Sequence, residues 1–266
     1  MNSKMQDYLR NDQYKTAANL SARMDIHILF SHNKHGWFPW VFDQYDLPPE
    51  ARIIEMACGR GDLWRANMRR IPAGWKITLT DFSEGMVTET KSRLADAPRL
   101  FEFKQVDIQS IPFEDEQFDA VIANHMLYHV PDKSKAFREV LRVLKPNGKF
   151  YTTTVGENHM LELAQLVNRF YGSEQAYDFN GRSLDFILEN GAAQLEPFFK
   201  DVQLRHYEDS LDVTQADPLV NYVLSGRSRE KLKEREEEFR AFVAKEIEAR
   251  GAIHISKDSG MFIARK

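Results

Sequence analysis

The chain has 266 residues, of which 42% are hydrophobic and 29% are charged, and its formal net charge is −4. These proportions are those of an ordinary folded protein and exclude a disordered or fibrous chain. The acidic balance argues against a broad nucleic-acid-binding face, because neutralising phosphates requires a surplus of clustered lysine and arginine.

The first stretch of sequence and the single cysteine indicate a cytoplasmic protein. Cys58 has no second cysteine with which to form an intramolecular disulfide, and MNSKMQDYLRNDQYK lacks the apolar core of a signal peptide. No uninterrupted apolar run reaches the roughly 18 residues of a membrane span. We therefore expect no membrane partner, and the sequence leaves both a monomer and a homodimer open.

A helix is predicted over residues 12–32, because apolar residues recur there at spacings of three and four. Pro48 and Pro49 close this section, and strands then alternate with helices. One of these helices should begin at an Asp132 cap and end at the Pro-Asn-Gly that precedes the fifth strand. The alternation predicts crossover units and a parallel sheet. The expected strands are 51–57, 76–81, 101–107, 118–125 and 148–155.

After residue 156 the pattern changes to helices at about 159–171 and 182–191, a strand at 199–208, a charged helix at 228–250 and a final strand at 251–266. We expect that helix to bury Phe239, Phe242, Val243 and Ile247. The sequence thus predicts three parts: an N-terminal helical cap (1–45), a core (46–156) and a C-terminal part (157–266) that completes the sheet and carries helical insertions at about 157–192 and 208–251.

Chemically distinctive residues follow four consecutive strands. The first strand runs into Cys58-Gly59-Arg60-Gly61, where glycines let the backbone approach a ligand closely. A nicotinamide-binding turn would have a third glycine, and here Trp64 occupies that position. Asp81 and Asp107 end the next two strands, and the fourth strand ends in Asn124-His125. Ligands bind at these strand ends in open α/β sheets, so a nucleotide-like ligand is indicated.

In this order the motifs resemble those of the class I S-adenosylmethionine-dependent methyltransferases that act on small molecules. The resemblance implies a doubly wound α/β fold with a mostly parallel seven-stranded sheet, Rossmann-like, with helical lid insertions. It also implies S-adenosyl-L-methionine as cofactor and S-adenosyl-L-homocysteine as product. Many relatives have Leu-Gly-Cys-Gly-Thr-Gly where this chain has Met-Ala-Cys-Gly-Arg-Gly, so Ala57 and Arg60 depart from the pattern. The matching segments are 53–63, 80–86, 106–130 and 138–154.

The same resemblance implies roles for individual positions. Gly59 and Gly61 would flank the methionine portion of the cofactor, and Asp81 would hold its ribose. Phe82 and Met86 would pack near the adenine. The full set of expected cofactor positions is Cys58, Gly59, Gly61, Asp81, Phe82, Met86, Asp107, Ile108, Asn124 and His125.

Candidate catalytic residues are fewer. His125 follows the fourth strand and could take a proton near neutral pH or position the acceptor through a hydrogen bond. His129 lies one helical turn further on, and Tyr14 could reach the pocket from a first helix folded over the cofactor. No metal is expected, because HMLYH lacks the glutamate of a zinc-hydrolase helix and a third ligand.

These observations lead us to expect a methyltransferase that moves a methyl group to an oxygen or nitrogen of a small metabolite by in-line displacement. Aromatic residues of the insertions are candidates for an apolar acceptor pocket, although each could instead pack its insertion onto the core: Phe170, Tyr171, Tyr177, Phe179 and Tyr222. The alternatives are a cofactor-binding protein without transfer activity, a nicotinamide oxidoreductase, and a methyltransferase acting on carbon, sulfur, RNA or protein.

Overall fold

One seven-stranded sheet organises the computed structural model, which describes residues 18–97, 100–172, 185–225 and 232–266. The strand order is β3-β2-β1-β4-β5-β7-β6. Strands β1 to β5 are parallel, and β7 runs antiparallel to both of its neighbours. This confirms the expected fold class. The strands are β1 Arg52–Met56, β2 Lys76–Asp81, β3 Phe101–Gln105, β4 Phe118–Asn124, β5 Leu144–Val155, β6 Lys200–Val213 and β7 Ile253–Arg265.

Helices flank the sheet and cover the edge formed by the carboxyl ends of its parallel strands. They are α1 Ala18–Phe30, α2 Trp37–Asp43, α3 Asp62–Asn67, α4 Glu84–Arg93, α5 Lys133–Val143, α6 Leu161–Tyr171, α7 Leu188–Leu195, α8 Ala216–Leu224 and α9 Glu236–Arg250. The helix expected at 182–191 falls partly outside the described residues, and α7 begins later than predicted. The first part of the helix expected at 12–32, with Tyr14, also lies outside them.

The sequence predicted where helix α5 begins but not where it ends. The Asp132 carboxylate accepts the Lys135 backbone N–H at 2.8 Å, which confirms the cap. The predicted end was wrong: the helix stops at Val143, and Leu144 pairs with Phe118 at the start of β5. Sheet pairing therefore begins before the Pro-Asn-Gly sequence. These three residues lie within β5, where the register with β4 is irregular.

The central strands of the sheet are buried on both faces. Ile53 and Ile54, neighbours in β1, are both fully buried and belong to different apolar clusters, one on each side. Apolar runs of this kind are typical of parallel strands covered by helices. The central strands are therefore held rigidly, and their carboxyl ends provide a fixed edge.

A third apolar cluster joins the helices at that edge and is called the cap cluster here. It combines residues of α1, α6, α8 and α9 with the ends of β6 and β7, including Ile26, Leu166, Val220, Phe239 and Ile255. The predicted buried side of α9 is confirmed for Phe239 and Val243, whereas Phe242 and Ile247 are partly buried against the same cluster.

The strand directions explain why these helices meet. Because β6 is antiparallel to β7, which is antiparallel to β5, β6 runs in the same direction as the core strands. Helix α6 follows the end of β5, and α8 and α9 follow the end of β6. Both additions therefore leave the sheet at its carboxyl edge. Within the described ranges, every helix is too short or too polar to cross a lipid bilayer.

Candidate active site

A cavity of about 660 Å³ opens at the carboxyl ends of β1, β2 and β4. Its volume is within the range of small-molecule sites, roughly 300–1,000 Å³. Helices α1, α2 and α8 and strand β7 complete its walls. The predicted site residues that line it are Cys58, Gly59, Asp81, Phe82, Met86, Asp107, Ile108, Asn124, His125 and His129. Motifs that are distant in sequence thus meet in one space.

The turn from β1 into α3 brings the backbone close to this cavity. Ala57, Gly59 and Gly61 all have positive φ, at 61°, 56° and 72°. Gly61 is not part of the cavity wall but shapes the turn behind it, where an added Cβ would lie 2.8 Å from Thr90 Cγ2. Glycine is required at such a position, since a larger residue meets both backbone strain and a steric clash.

Asp81 is fixed by the same turn. Its Oδ2 atom accepts the Gly59 N–H at 3.1 Å, and Oδ1 accepts the Ser83 N–H at 2.8 Å. The side chain is buried, and burial raises the pKa of its carboxyl to about 6, against the lowering effect of these backbone donors. Each oxygen retains acceptor capacity, so the carboxylate can also accept from hydroxyl groups of a ligand.

The neighbouring predicted positions form the next part of the wall. Ser83 caps α4 and so fixes the start of the helix that carries Met86, which is buried, whereas Phe82 is 37% exposed at the rim. After β3, Asp107 Oδ1 accepts the Gln109 N–H at 2.9 Å, and Ile108 is buried beside it. A flat ring with a polar edge would find both apolar contact and a carboxylate here.

Glu55 is a candidate that the sequence analysis missed. It lies within β1, lines the cavity and is buried. Its carboxylate accepts Trp64 Nε1–H at 2.6 Å and Asn124 Nδ2–H at 3.2 Å. Burial nevertheless raises the pKa of Glu55 to about 7, and the nearby Asp81 raises it further. The available signal was a charged residue inside an otherwise apolar strand.

His125 lies at the end of β4 in a constrained backbone conformation. Its φ is 49°, and its N–H donates to Thr153 O at 3.0 Å and to Thr153 Oγ1 at 3.1 Å. Positive φ in a non-glycine residue is uncommon and is often found at functional sites. The Trp37 ring lies 5.1 Å from the His125 ring, centroid to centroid, so α2 contributes to its orientation.

The other catalytic candidates differ in their placement. His129 lines the cavity at the end of a short helical turn, Leu127–His129, with its ring 4.6 Å from that of Tyr128. Tyr14 lies outside the described residues. In the part of the chain that the structure describes, no group of three or more His, Cys, Asp or Glu side chains is arranged to hold a metal ion.

Cys58 and Arg60 complete the first turn. Burial raises the pKa of the Cys58 thiol well above its usual value, so the thiol is protonated at neutral pH. Arg60 lines the cavity, with its Nε 3.6 Å from Asp62 Oδ2. The departure from the usual motif at position 60 therefore adds a cation beside the first residue of α3.

The insertions contribute fewer aromatic residues to the cavity than the sequence suggested. Tyr222 lines it and meets His27 edge to face at 5.8 Å. Phe170 and Tyr171 instead pack against the cap cluster. Tyr177 and Phe179 lie outside the described residues. Sequence reasoning also missed wall residues from other elements: Met24, Ile28, Trp37, His159, Lys257 and Ser259.

Comparison with known proteins relates part of the chain to methyltransferases. A family model described as a methyltransferase domain matches residues 54–152. A ubiquinone/menaquinone biosynthesis C-methyltransferase of Bordetella avium is 28% identical over 163 residues, which is 60% of this chain and 60% of that protein. A demethylmenaquinone methyltransferase of Desulfitobacterium hafniense is 30% identical over 115 residues, 42% of this chain and 46% of the relative. The chain thus spans less than two thirds of these curated relatives.

Solved structures resemble the fold over more of the chain. A phosphoethanolamine N-methyltransferase of Haemonchus contortus, in complex with S-adenosyl-L-methionine, has a TM-score of 0.60 at 19% identity, covering 98% of this chain and 60% of that one. A protein of Bacillus halodurans described as a putative methyltransferase has a TM-score of 0.58 at 16% identity, covering 86% of this chain and 98% of the other. At these identities the likeness concerns the fold.

Proposed function

We propose that this chain, which belongs to the class I S-adenosylmethionine-dependent methyltransferases, transfers a methyl group from S-adenosyl-L-methionine to a small-molecule acceptor in the cavity at the carboxyl edge of the sheet. The observation that carries this proposal is the meeting of three of the four matching segments, 53–63, 80–86 and 106–130, in one cavity, together with walls from α1, α8 and β7. A cavity of about 660 Å³ is of the size that holds small molecules, which favours a small acceptor over RNA or protein.

The cofactor would lie along the ends of β1, β2 and β4. Asp81 would accept hydrogen bonds from the ribose hydroxyls. Because Asp81 is buried, these hydrogen bonds would offset the free-energy cost of removing its carboxylate from water. Glu55 presents a second buried carboxylate, which suits the cationic end of the cofactor. Phe82, Met86 and Ile108 would contact the adenine. These assignments rest on the cavity wall and on the motif positions.

Bound S-adenosyl-L-methionine supplies an electrophilic sulfonium methyl group. The residues of this chain then have to hold the acceptor in line with it and exclude water, and proximity and orientation can contribute on the order of 7–11 kcal/mol. His125, fixed through Thr153 and packed against Trp37, would orient the acceptor or take its proton. His129 lines the same cavity and is the second candidate for this role.

A further part of the proposal is which atom of the acceptor receives the methyl group. The sequence led us to expect oxygen or nitrogen, whereas the relatives from Bordetella avium and Desulfitobacterium hafniense favour a quinol-type acceptor, with carbon as the atom named for the first. We therefore propose carbon methylation of a hydroxylated ring as a second candidate reaction, beside methylation of an oxygen or nitrogen. In that reaction a base would take the hydroxyl proton, and the ring carbon would bond the methyl group as the sulfur–methyl bond breaks and S-adenosyl-L-homocysteine leaves. The same carbon would then lose its proton, which restores the aromatic ring.

Two measurements test this proposal in order. Calorimetric titration with S-adenosyl-L-homocysteine should give one site per chain, and absence of binding contradicts the proposal. Incubation with S-adenosyl-L-methionine carrying a ¹³C-labelled methyl group and a set of quinols, phenols, carboxylates and amines should then yield a methylated product. The ¹³C shift of the transferred methyl group distinguishes carbon, oxygen and nitrogen. Binding without product for every acceptor would favour a cofactor-binding protein without transfer activity.

A further inference from the structure

Three polar side chains meet behind the first turn, although they come from different parts of the chain. Tyr45 precedes β1, Glu55 lies within β1 and Asn124 ends β4; together they are called the Asn124 relay here. We propose that the relay has two hydrogen-bonding patterns, one for protonated and one for ionised Glu55, and that the ammonium group of the bound cofactor drives it from the first to the second. This inference rests on the proposed function and deepens it, because it predicts that the cofactor binds with release of a proton.

Glu55 and Asn124 are hydrogen-bonded to each other in the structure. Asn124 Nδ2 donates to Glu55 Oε1 at 3.2 Å, and Trp64 Nε1 donates to Glu55 Oε2 at 2.6 Å. Each carboxyl oxygen therefore accepts one N–H. The side chain is 3% exposed and both donors are uncharged, so these two bonds offset only part of the cost of burying a negative charge.

The Tyr45 end of the relay has a donor and an acceptor that both lack a partner. The Tyr45 hydroxyl is buried beside Asn124, and burial raises its pKa well above the usual value, so the hydroxyl keeps its proton at neutral pH. Within the described ranges, neither this hydroxyl nor Asn124 Oδ1 makes a hydrogen bond. Buried polar atoms without a partner are uncommon in folded proteins. A small rotation of the Asn124 amide would give each of them one.

The Tyr45 ring is held in place independently of the relay. It meets the rings of Tyr151 and Phe42 edge to face, at centroid distances of 5.0 Å and 5.8 Å. The Tyr151 hydroxyl in turn accepts the backbone N–H of Asp46 at 3.2 Å. A change of hydrogen bonding in the relay therefore falls on the amide of Asn124.

That amide permits two patterns in which each member of the relay has a partner. With Glu55 ionised, the Tyr45 hydroxyl donates to Asn124 Oδ1, and Asn124 Nδ2 donates to the carboxylate. With Glu55 protonated, the amide turns over, so that the Glu55 hydroxyl donates to Oδ1 and Nδ2 donates to the Tyr45 oxygen. Both are available because an amide carries a donor and an acceptor, and a tyrosine hydroxyl can act as either.

The charges around Glu55 favour the protonated pattern before a ligand binds. The titratable groups that face it are Asp81 of β2, Cys58 of the following turn and Tyr45, while α3 and β4 contribute the uncharged donors described above. Burial and the Asp81 charge raise the pKa of Glu55 to about 7. A ligand ammonium group beside the carboxyl group would lower this pKa, as an opposite charge does. Glu55 then ionises, and its proton passes to the solvent.

Calorimetric titration with S-adenosyl-L-homocysteine tests the proton release. Binding heats in phosphate and imidazole buffers at pH 7 are compared, because their difference counts the protons released. We expect about half a proton at pH 7, almost none at pH 8.5, and an affinity about tenfold lower at pH 6 than at pH 8. Glu55→Gln should abolish most of the release. The control ligand is 5′-methylthioadenosine, which has no ammonium group and reports any proton released from Asp81; it should release less.

Variants of the other two members test the relay in the ligand-free protein. The Glu55 titration is followed by NMR of ¹³C-labelled glutamate, and its signal is assigned as the one missing in Glu55→Gln. Asn124→Leu removes a donor to the ionised carboxylate and should shift the titration to higher pH. Tyr45→Phe should shift it in the same direction by less. Tyr171→Phe is the matched control, because it also removes a buried hydroxyl without a partner, in the part of the chain that packs against the cap cluster.

Several results would overturn the inference. These are equal proton release by the wild type and Glu55→Gln, equal release with 5′-methylthioadenosine, an unchanged Glu55 titration in Asn124→Leu, or a Tyr45→Phe titration equal to that of Tyr171→Phe. Each variant is first checked for a cooperative unfolding transition. If S-adenosyl-L-homocysteine itself fails to bind the wild type, the proposed function fails instead.

Discussion

The indole N–H of Trp64 donates to the carboxylate of Glu55 at 2.6 Å, and both side chains are buried at the end of β1. Trp64 occupies the place where a nicotinamide-binding turn would have its third glycine. Its large ring fills the space between α3 and the sheet, and its N–H helps to satisfy a carboxylate in the cavity wall. Trp64, which argued against a nicotinamide cofactor, therefore packs α3 against the sheet and holds the Glu55 carboxylate in place.

The first prediction concerns pH. Burial raises the pKa of Glu55 from 4.5 to about 7 and that of Asp81 from 3.8 to about 6 in the folded protein. The folded state therefore binds more protons than the unfolded state between about pH 4 and pH 7, and this contribution to stability is lost as the pH rises through that window. Glu55→Gln should make the free energy of unfolding less dependent on pH, by up to about 3 kcal/mol across the window.

Urea unfolding of the ligand-free protein at pH 4.5, 6 and 8 measures this effect. Glu196→Gln removes an exposed carboxylate away from the cavity and is the control. Equal pH dependence in Glu55→Gln and the wild type would show that Glu55 titrates normally in the folded protein.

The second prediction separates backbone strain from packing in the first turn. Gly61 and Gly172 have similar φ, 72° and 67°, but an added Cβ meets Thr90 and Leu94 only at Gly61 and nothing within 4 Å at Gly172. Gly172→Ala should cost about 1 kcal/mol of unfolding free energy for the left-handed conformation. Gly61→Ala should cost more and should also weaken binding of S-adenosyl-L-homocysteine, because the turn must shift. Equal costs for the two variants would mean that the turn absorbs a methyl group without strain.

The third prediction concerns the role of His125. His125→Ala should lower turnover about a hundredfold or more if the ring acts as a base, because positioned bases contribute about 10²–10⁴-fold. Affinity for S-adenosyl-L-homocysteine should change far less. The rate of methyl transfer and calorimetric titration measure the two quantities on the same preparation, with His254→Ala as the exposed control. Turnover equal to that of the wild type removes His125 from the mechanism.

The fourth prediction concerns the buried Lys257–Asp209 pair. Lys257→Met leaves the Asp209 carboxylate buried without its cation and should cost about 3–5 kcal/mol of unfolding free energy. The double variant Lys257→Met/Asp209→Leu should recover part of this loss, although Ser31 and Asn33 then lose an acceptor. Chemical denaturation of both variants measures the coupling. Additive losses in the double variant would show that the two charges do not stabilise each other.

The sequence predicted the core of the fold and a set of motif residues that line one cavity, because both depend on short local patterns. Strands β1, β2 and β4 each contain a short apolar run, and β3 alternates phenylalanine with charged residues. Asp81 and Asn124 end their strands, and Gly59 and Asp107 follow theirs within three residues. Parallel pairing then brings those strand ends together. The α5 stop was misjudged because sheet pairing of Leu144 prevails over a downstream turn signal.

The opposite wall of the cavity, beside β7, could not be predicted in the same way. His159 meets Ser259 across a sequence separation of 100 residues, and this contact exists only because β7 inserts antiparallel between β5 and β6. Nothing in the sequence around His159 marks it as part of the cavity wall. Glu55 differs, since its signal was present: a carboxylate within a buried strand needs partners, and Trp64 and Asn124 are those partners.

The proposed function requires the cavity at the carboxyl edge to bind S-adenosyl-L-methionine with Asp81 at the ribose. Calorimetric titration of the wild type and Asp81→Ala with S-adenosyl-L-homocysteine tests this requirement. We predict one site per chain in the wild type and an affinity about ten- to a hundredfold lower in the variant, as for loss of hydrogen bonds to a charged group. Absence of binding to the wild type, or equal affinity for both proteins, would contradict this claim.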